Sequence, residues 1–389
     1  MPMNINIEFF DIEAIENIIT CMHFKMDRVV FLGQHDIMTP EAQSITRAAL
    51  DDICNITNVS FFEVSMKDID RVLQQLTKIV QQEEQQGGKC FFDLTGGADM
   101  LLVAMGMYSA THNIPMHRYD VAEGALKILN KDAEHIDDCV ESREVRLTID
   151  DLVELHGGVI DYNMQKKFKD DPLDGSFRQD VKNIWQIAEP NMRRYNGMSS
   201  VLKATKTTDD HELDEWLSRQ KVSRVASNEH TVGSEGAFIA YLKSLERIGC
   251  VENLVVNTDW ISFRYKDSAL RSCLLDAGSV LELHTYYERL ESGLYDDCKI
   301  GTHLKWGINA ADDGYIVNNE IDVLLLKGNV LTFVSCKGGT PDQKALYELD
   351  TVASRFGGKY AVKELVTAAR VDIHHKQRAE EMQISVIEI

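Results

Sequence analysis

Between residues 4 and 130 short apolar runs alternate with segments whose apolar side chains recur every three to four residues. That alternation confines the N-terminal part of the chain to a parallel sheet covered on both faces. NINIEFF, RVVFLG, SFFEVSM, KCFFDLTGG and PMHRYDV read as strands. Between them lie helical patterns: IEAIENIITCMHF, then PEAQSITRAALDDICNIT opened by Thr39 and Pro40, then DIDRVLQQLTKIVQQEE and ADMLLVAMGMYSATHN. Strand–helix–strand units joined by short connections give a doubly wound sheet, and such sheets bind ligands beyond the carboxyl ends of their strands, where the strand order reverses.

The chain has 389 residues, enough for two or three domains. Its 44% hydrophobic content supports real cores, and six prolines leave little room for long linkers. Cys21, Cys54, Cys90, Cys139, Cys250, Cys273, Cys298 and Cys336 are scattered without a CxxC pair, which argues against a zinc ribbon or a disulfide framework and fits a reducing cytoplasm. The N-terminus lacks a basic segment and a long apolar core, so no signal peptide is expected, and MLLVAMGMYSA is too short to span a bilayer. The net charge of −21 disfavours general attraction to nucleic acid; any such binding needs a local basic patch, metal ions or both. The richest basic stretch runs from Lys166 to Lys206, through Lys167, Lys169, Arg178, Lys182, Arg193, Arg194 and Lys203. Residues 150–250 read as mostly helical, and AFIAYLKSLERIG followed by NLVVNTDWISFRYK has a winged-helix pattern.

From about Ser279 the pattern changes. VLELHTYYERLES is a helix, DDCKIGTHLKWGI and NEIDVLLLKGNVLTFVSCKGG give three strands with a Lys327–Gly328–Asn329 turn between the last two, and KALYELDTVASRFG is a helix stopped at Gly357. Alternation puts Ser335 and Lys337 on one face of their strand, and across the hairpin Asp322 and Lys337 can meet at one end of the sheet. Glu282, on the preceding helix, is placed to add a carboxylate. Aspartate, glutamate and lysine together suit Mg²⁺ or Mn²⁺, which prefer oxygen ligands and keep several waters. The ion would polarise a phosphodiester and acidify a bound water, with Lys337 orienting or deprotonating that water and offsetting charge. A helix Glu, a strand Asp and a Lys on the next strand resemble the PD-(D/E)XK nuclease superfamily, and Glu282, Asp322 and Lys337 fall on its pattern. Where that pattern has an acid, this chain has Ser335. Either Glu320, on the Asp322 strand face, takes over the missing carboxylate's role, or Ser335 holds a metal-bound water with the Cys336 carbonyl completing the shell. His374 and His375 have no second histidine cluster and read as surface residues.

FFDLTGGADM is the second motif. A buried strand ends at Asp93-Leu94-Thr95, Gly96 and Gly97 allow a tight turn, and a helix begins whose first N–H groups favour phosphate. Gly33, Gln34, His35 and Asp36 follow the second strand, and Phe10, Asp11 and Ile12 follow the first, at the same sheet edge. No GxGxxG fingerprint or GK[ST] sequence is present, which leaves nicotinamide and P-loop readings unsupported. A Rossmann-like domain with a D-L-T-G-G turn, joined to a C-terminal PD-(D/E)XK domain, resembles the CRISPR-associated Rossmann-fold (CARF) nucleases of type III CRISPR systems, relatives in which SCK-like strings occur at the Ser335 position.

The resemblance implies an α/β protein with an N-terminal Rossmann-like (CARF) parallel sheet and a C-terminal restriction-endonuclease-like domain. It implies a homodimer enclosing a cyclic oligoadenylate, most often cyclic tetra-adenylate, which activates cleavage of single-stranded DNA or RNA and nicking of duplex DNA. The ligand contacts carried over are Thr95, Gly96 and Gly97, with Asp11 and Gln34 beside them. The expected organisation is a sensing domain over 1–145, a helical or winged-helix segment over 146–255 and a nuclease domain over 256–389. Two other readings stay open: a ligand-sensing regulator with an inactive nuclease domain, favoured by Ser335, and a scavenger that degrades the second messenger in the sensing pocket.

Overall fold

A computed structural model describes residues 2–130, 135–164, 175–209, 212–306 and 319–389. Lys166, Lys167 and Lys169 of the basic stretch lie outside the described residues. The N-terminal sheet contains β1 (Met3–Phe9), β2 (Arg28–Gly33), β3 (Val59–Glu63), β4 (Gly88–Asp93), β5 (Met116–Asp120) and β6 (Ala125–Ile128) in the order β3-β2-β1-β4-β5-β6. All neighbours run parallel except β6 on β5. The order reverses between β1 and β4, so the crevice at their carboxyl ends is where such a sheet takes a ligand.

Helices α1 (Ile19–His23), α2 (Pro40–Asp52), α3 (Ile69–Gln85) and α4 (Asp99–His112) connect the strands. α2 starts as its sequence dictates, with the Thr39 hydroxyl accepting from Ala42 N at 3.2 Å and Pro40 in the first turn. α3 and α4 bury Val72, Leu76, Leu101 and Met105 against Ile5, Ile7 and Phe92 of the sheet. The single helix expected over IEAIENIITCMHF is instead a 3₁₀ turn, Ala14–Asn17, followed by the short α1. Ile18 breaks it at φ −131°, because Glu13, Glu16 and Asn17 turn inward to other partners.

The middle of the chain adds α5 (Ile136–Cys139), α6 (Ile149–Leu155), β7 (Gly158–Ile160), α7 (Gly175–Ala188) and α8 (Met192–Thr205). Next come β8 (Asp214–Ser218), α9 (Arg219–Asn228), α10 (Glu235–Arg247), β9 (Val251–Val256) and β10 (Trp260–Tyr265). The last three strands form an antiparallel sheet in the order β8-β10-β9, and helix–strand–helix–helix–strand–strand is the winged-helix order. The expected break at 255/256 therefore falls inside β9, whose pairing with β10 carries this unit to Tyr265.

The C-terminal part comprises α11 (Ser268–Leu275), α12 (Ser279–Ser292), β11 (Asp297–Trp306), β12 (Asn319–Lys327), β13 (Val330–Lys337), α13 (Gln343–Gly357), β14 (Val362–Thr367), α14 (Ile373–Glu381) and β15 (Ile384–Glu388). Its sheet runs β15-β14-β13-β12-β11-β7, so β7 from the middle segment forms one edge. Leu324, Leu326, Leu331 and Phe333 pack with Leu346, Leu349 and Phe356 of α13, in a core continuous with Phe10, Phe31 and Phe91 of the N-terminal sheet. Val323, Leu325, Val334 and Cys336 pack with Leu281, Leu283 and Tyr286 of α12. α13 extends through Gly357, and the left-handed residue that ends it is Gly358 at φ +64°. Among the described residues no helix is long and apolar enough to cross a membrane. The eight cysteines are not joined in disulfides.

Candidate functional site

The hairpin of β12 and β13 pairs Val323 with Val334, and one step on it sets Asp322 across from Ser335. Asp322 Oδ2 accepts from Cys336 N at 2.6 Å and from Ser335 Oγ at 3.4 Å. A cleft of about 670 Å³ opens there, lined by Glu320, Asp322, Ser335 and Lys337 from the hairpin. Gln343, Tyr347, Glu348 and Thr351 of α13 form its other wall. Asp322, Ser335 and Lys337 are thus brought together, with Glu320 beside them.

Glu282 does not line this cleft. It sits in the first turn of α12, on the Cys336 side of β13. The Cys336 thiol is pushed well above its ordinary range, first by burial and then by the charges of Asp322 and Glu282. The charges of both carboxylates therefore act on the same residue of β13. Among the described residues no group of three or more His, Cys, Asp and Glu side chains converges as a ready metal cage. The donors on the cleft are hard oxygens, which fits an ion that keeps most of its own waters.

The facing wall was not legible as functional in the sequence. Gln343 Nε2 donates to Tyr347 Oη at 3.1 Å, and Arg378 Nε of α14 donates to the same oxygen at 3.1 Å. These bonds, Arg378 first, hold the Tyr347 phenol below its usual range. The available signal was the four-residue spacing of Gln343 and Tyr347, which puts both on one helix face.

At the switch point of the N-terminal sheet, Asp93 ends β4 and its Oδ1 accepts from Thr95 N at 2.9 Å and from the Thr95 hydroxyl. The hydroxyl in turn accepts from Tyr119 N at 2.9 Å. Burial opposes the Asp93 charge, but buried His117, 3.7 Å away, together with the Thr20 and Thr95 hydroxyls, holds the carboxyl below its ordinary value. Gly97 N donates to Asp11 Oδ2 at 3.0 Å. A β-carbon on Gly96 would stand 2.9 Å from both Asp11 Cβ and Glu16 Oε2, so the turn tolerates no side chain there. Thr95, Gly96, Gly97 and Asp11 are therefore gathered at one point, with the Thr95 hydroxyl and the Asp11 carboxylate engaged in shaping the turn. Gln34 lies half-buried just past β2, its carbonyl accepting from Met38 N at 2.9 Å. His35 is exposed and paired with Glu63 at 2.7 Å.

The same turn is tied to the C-terminal domain. Glu13 N donates to Asp11 Oδ1 at 2.9 Å, and the Glu13 carboxylate accepts from His156 Nε2 at 3.0 Å and Lys359 N at 2.7 Å. Glu16, 3% exposed, accepts from Lys359 Nζ at 2.8 Å and from Tyr360 Oη at 2.5 Å. Lys359 and Tyr360 directly follow α13, the helix that walls the hairpin cleft. A continuous hydrogen-bonded path thus runs from Gly97 through Asp11 and Glu13 to the end of α13, with Glu16 bridging Gly96 to the same segment.

Over its whole length the chain is similar to protein VC1899 from Vibrio cholerae, with a TM-score of 0.70 and 17% identity, covering 99% of this chain and 94% of that one. It is also similar to Can2 from Sulfobacillus thermosulfidooxidans, solved in complex with cyclic tetra-adenylate, with a TM-score of 0.65 and 15% identity, covering 98% and 92%. At those identities the likeness is one of fold. No curated protein sequence matches the chain. Residues 269–388, which contain the α12 helix, the hairpin and the cleft, match the family described as Card1-like, endonuclease domain, and that segment is on that ground similar to the Card1-like endonucleases.

Proposed function

We propose that the chain is a divalent-metal-dependent endonuclease, active on single-stranded DNA or RNA and switched on by a cyclic oligoadenylate bound between the sensing domains of a homodimer. The observation that carries this reading is the meeting of Asp322, Ser335 and Lys337, with Glu320, in one open cleft inside the segment matched to Card1-like endonucleases. The fold likeness to Can2, solved with cyclic tetra-adenylate, supports the choice of activator. An apolar stripe on α4, where Val103 and Met107 are 55% and 48% exposed, supports the dimer, since it lies beside the turn that a two-fold partner would share.

Asp322, with Glu320 or the Cys336 carbonyl and outer-sphere help from Glu282, would hold Mn²⁺ or Mg²⁺. The ion, when bound, supplies Lewis acidity toward the phosphate and a nucleophilic water at neutral pH. Lys337 lines the cleft, where its ammonium would offset the extra negative charge of the pentacoordinate phosphate. Ser335 Oγ and Cys336 N–H both donate to Asp322 Oδ2 and orient that carboxylate. Ser335 in place of a carboxylate is also what favours the second reading, a sensor whose nuclease domain is silent.

The test is a cleavage assay on labelled single-stranded DNA and RNA with Mn²⁺ or Mg²⁺, with and without cyclic tetra-adenylate. Cleavage that requires both metal and activator supports the proposal. Tight activator binding with no cleavage favours the silent sensor, and consumption of the activator itself favours the scavenger.

A further inference from the structure

The cleft alone does not explain how a chain of net charge −21 holds a polyanion. Two helices of the winged-helix unit depart from that charge. α8 and α9 carry Arg193, Arg194, Lys203, Arg219, Lys221 and Arg224 and no acidic residue. On α8, Arg193, Asn196, Ser200 and Lys203 recur at spacings of three, four and three, which aligns them in one stripe. Arg193, Ser200 and Lys203 are exposed and Asn196 is half-buried, while Met192, Tyr195, Met198 and Leu202 face the core.

This stripe starts at the nuclease cleft. Gly338 directly follows Lys337, and a β-carbon on Gly338 would lie 2.4 Å from Asn196 Nδ2 and 3.4 Å from Met192 Cγ. The first turns of α8 therefore rest on the loop that leaves the cleft. Asn196 Oδ1 is buried there without a hydrogen-bond partner. From Arg193 to Lys203 the helix rises about 15 Å, the length of roughly four stacked nucleotides at about 3.4 Å each.

Resting on the nuclease reading above, we propose that the exposed face of α8 is the track that holds the sugar-phosphate backbone of a single strand and feeds it to the Asp322–Lys337 cleft, with Arg193 and Lys203 as its two phosphate contacts. Recognition by backbone charge carries no base readout, so the strand is bound without sequence preference. The winged-helix unit serves the cutting domain as its substrate arm.

The test measures binding of a fluorescent single-stranded oligonucleotide to the full chain in EDTA with cyclic tetra-adenylate, as a function of salt, in a DNA arm and an RNA arm. Arg193→Glu/Lys203→Glu is compared with Lys67→Glu/Lys78→Glu, which makes the same charge change on exposed residues of the sensing domain. The α8 pair is expected to weaken binding about tenfold at low salt and to flatten the log–log salt slope by about 1.4, from two lost phosphate contacts at about 0.7 each. The sensing-domain pair should leave the slope unchanged. In the cleavage assay the α8 pair should raise KM by a similar factor and leave kcat and the fold-stimulation by activator intact. If thermal melting shows that the reversals unfold the protein, Arg193→Ala/Lys203→Ala gives the same slope readout. An unchanged slope in a folded α8 variant, equal losses in both pairs, or no salt-dependent binding by the native chain overturns the proposal. Absence of cleavage by a native chain that still binds on α8 would instead remove the nuclease reading. The arm that binds more tightly identifies the sugar.

Discussion

Glu16→Gln separates communication between the two sites from the working of either one. Glu16 is 3% exposed and accepts from Lys359 Nζ and Tyr360 Oη while its Oε2 lies against the Gly96 position. Burial raises its carboxyl above the ordinary value, and the bonds from Lys359 and Tyr360 pull it back. Glutamine keeps the shape and an acceptor oxygen but loses the charge. A charge-assisted hydrogen bond is worth about 1.5–3 kcal/mol and a neutral one about 1. The Lys359 ammonium is half-exposed and regains water when released, so the expected loss is about 1–2 kcal/mol. A ligand can shift an equilibrium only by its differential contacts with the two states. If activation runs through this contact, stimulation by cyclic tetra-adenylate should fall about 5- to 30-fold. Activator affinity measured by calorimetry should fall by no more than the same factor, as reciprocity requires. The assay is the ratio of activated to basal cleavage, read beside a thermal melt. A lowered melting temperature with full stimulation would show that Glu16 only glues the domains and would refute this route.

Two further outcomes follow from other parts of the molecule. Glu8 is buried on β1, and burial followed by the Asp93 charge raises its carboxyl well above the usual range. A folded value above the unfolded one means its stabilising protonation is complete at low pH and is lost as pH rises from about 4.5 through the folded value. Glu8→Gln should therefore flatten the decline of melting temperature between pH 5 and 8, and an identical decline in both proteins would contradict the assignment. On α4, Val103→Glu/Met107→Glu should turn a dimer into a monomer in sedimentation experiments; a dimer that survives both charges would place the interface elsewhere.

The sequence was most legible where local pattern and tertiary role agree. The parallel strands, the Thr39–Pro40 helix start and the hairpin around Gly328 follow from periodicity and turn chemistry. The turn at Gly96 could be found because only glycine fits against Asp11 and Glu16. Less legible was whatever depends on distant partners. Glu16 and Lys359 are 343 positions apart, so no window over IEAIENIITCMHF could show that its acids face inward and interrupt a helix. β7 reads as a fragment of the middle segment, and only its pairing with β11 makes it an edge of the nuclease sheet. The stripe on α8 was visible as basic residues, yet its use depends on Gly338 lying beneath Asn196. Glu282 is not among the residues lining the cleft, yet its charge and that of Asp322 both act on Cys336, a relation between helix and hairpin that spacing alone only suggests.

Single-turnover cleavage of single-stranded DNA and RNA at saturating activator and Mn²⁺ addresses the hairpin chemistry most directly, with native protein set beside Asp322→Asn and Lys337→Met. Both substitutions are close in size and leave the core untouched, since both side chains line the open cleft. We expect each to reduce the cleavage rate by about a thousandfold or more while activator binding stays native. Native rates in either variant would contradict the claim that phosphodiester cleavage takes place between these two side chains.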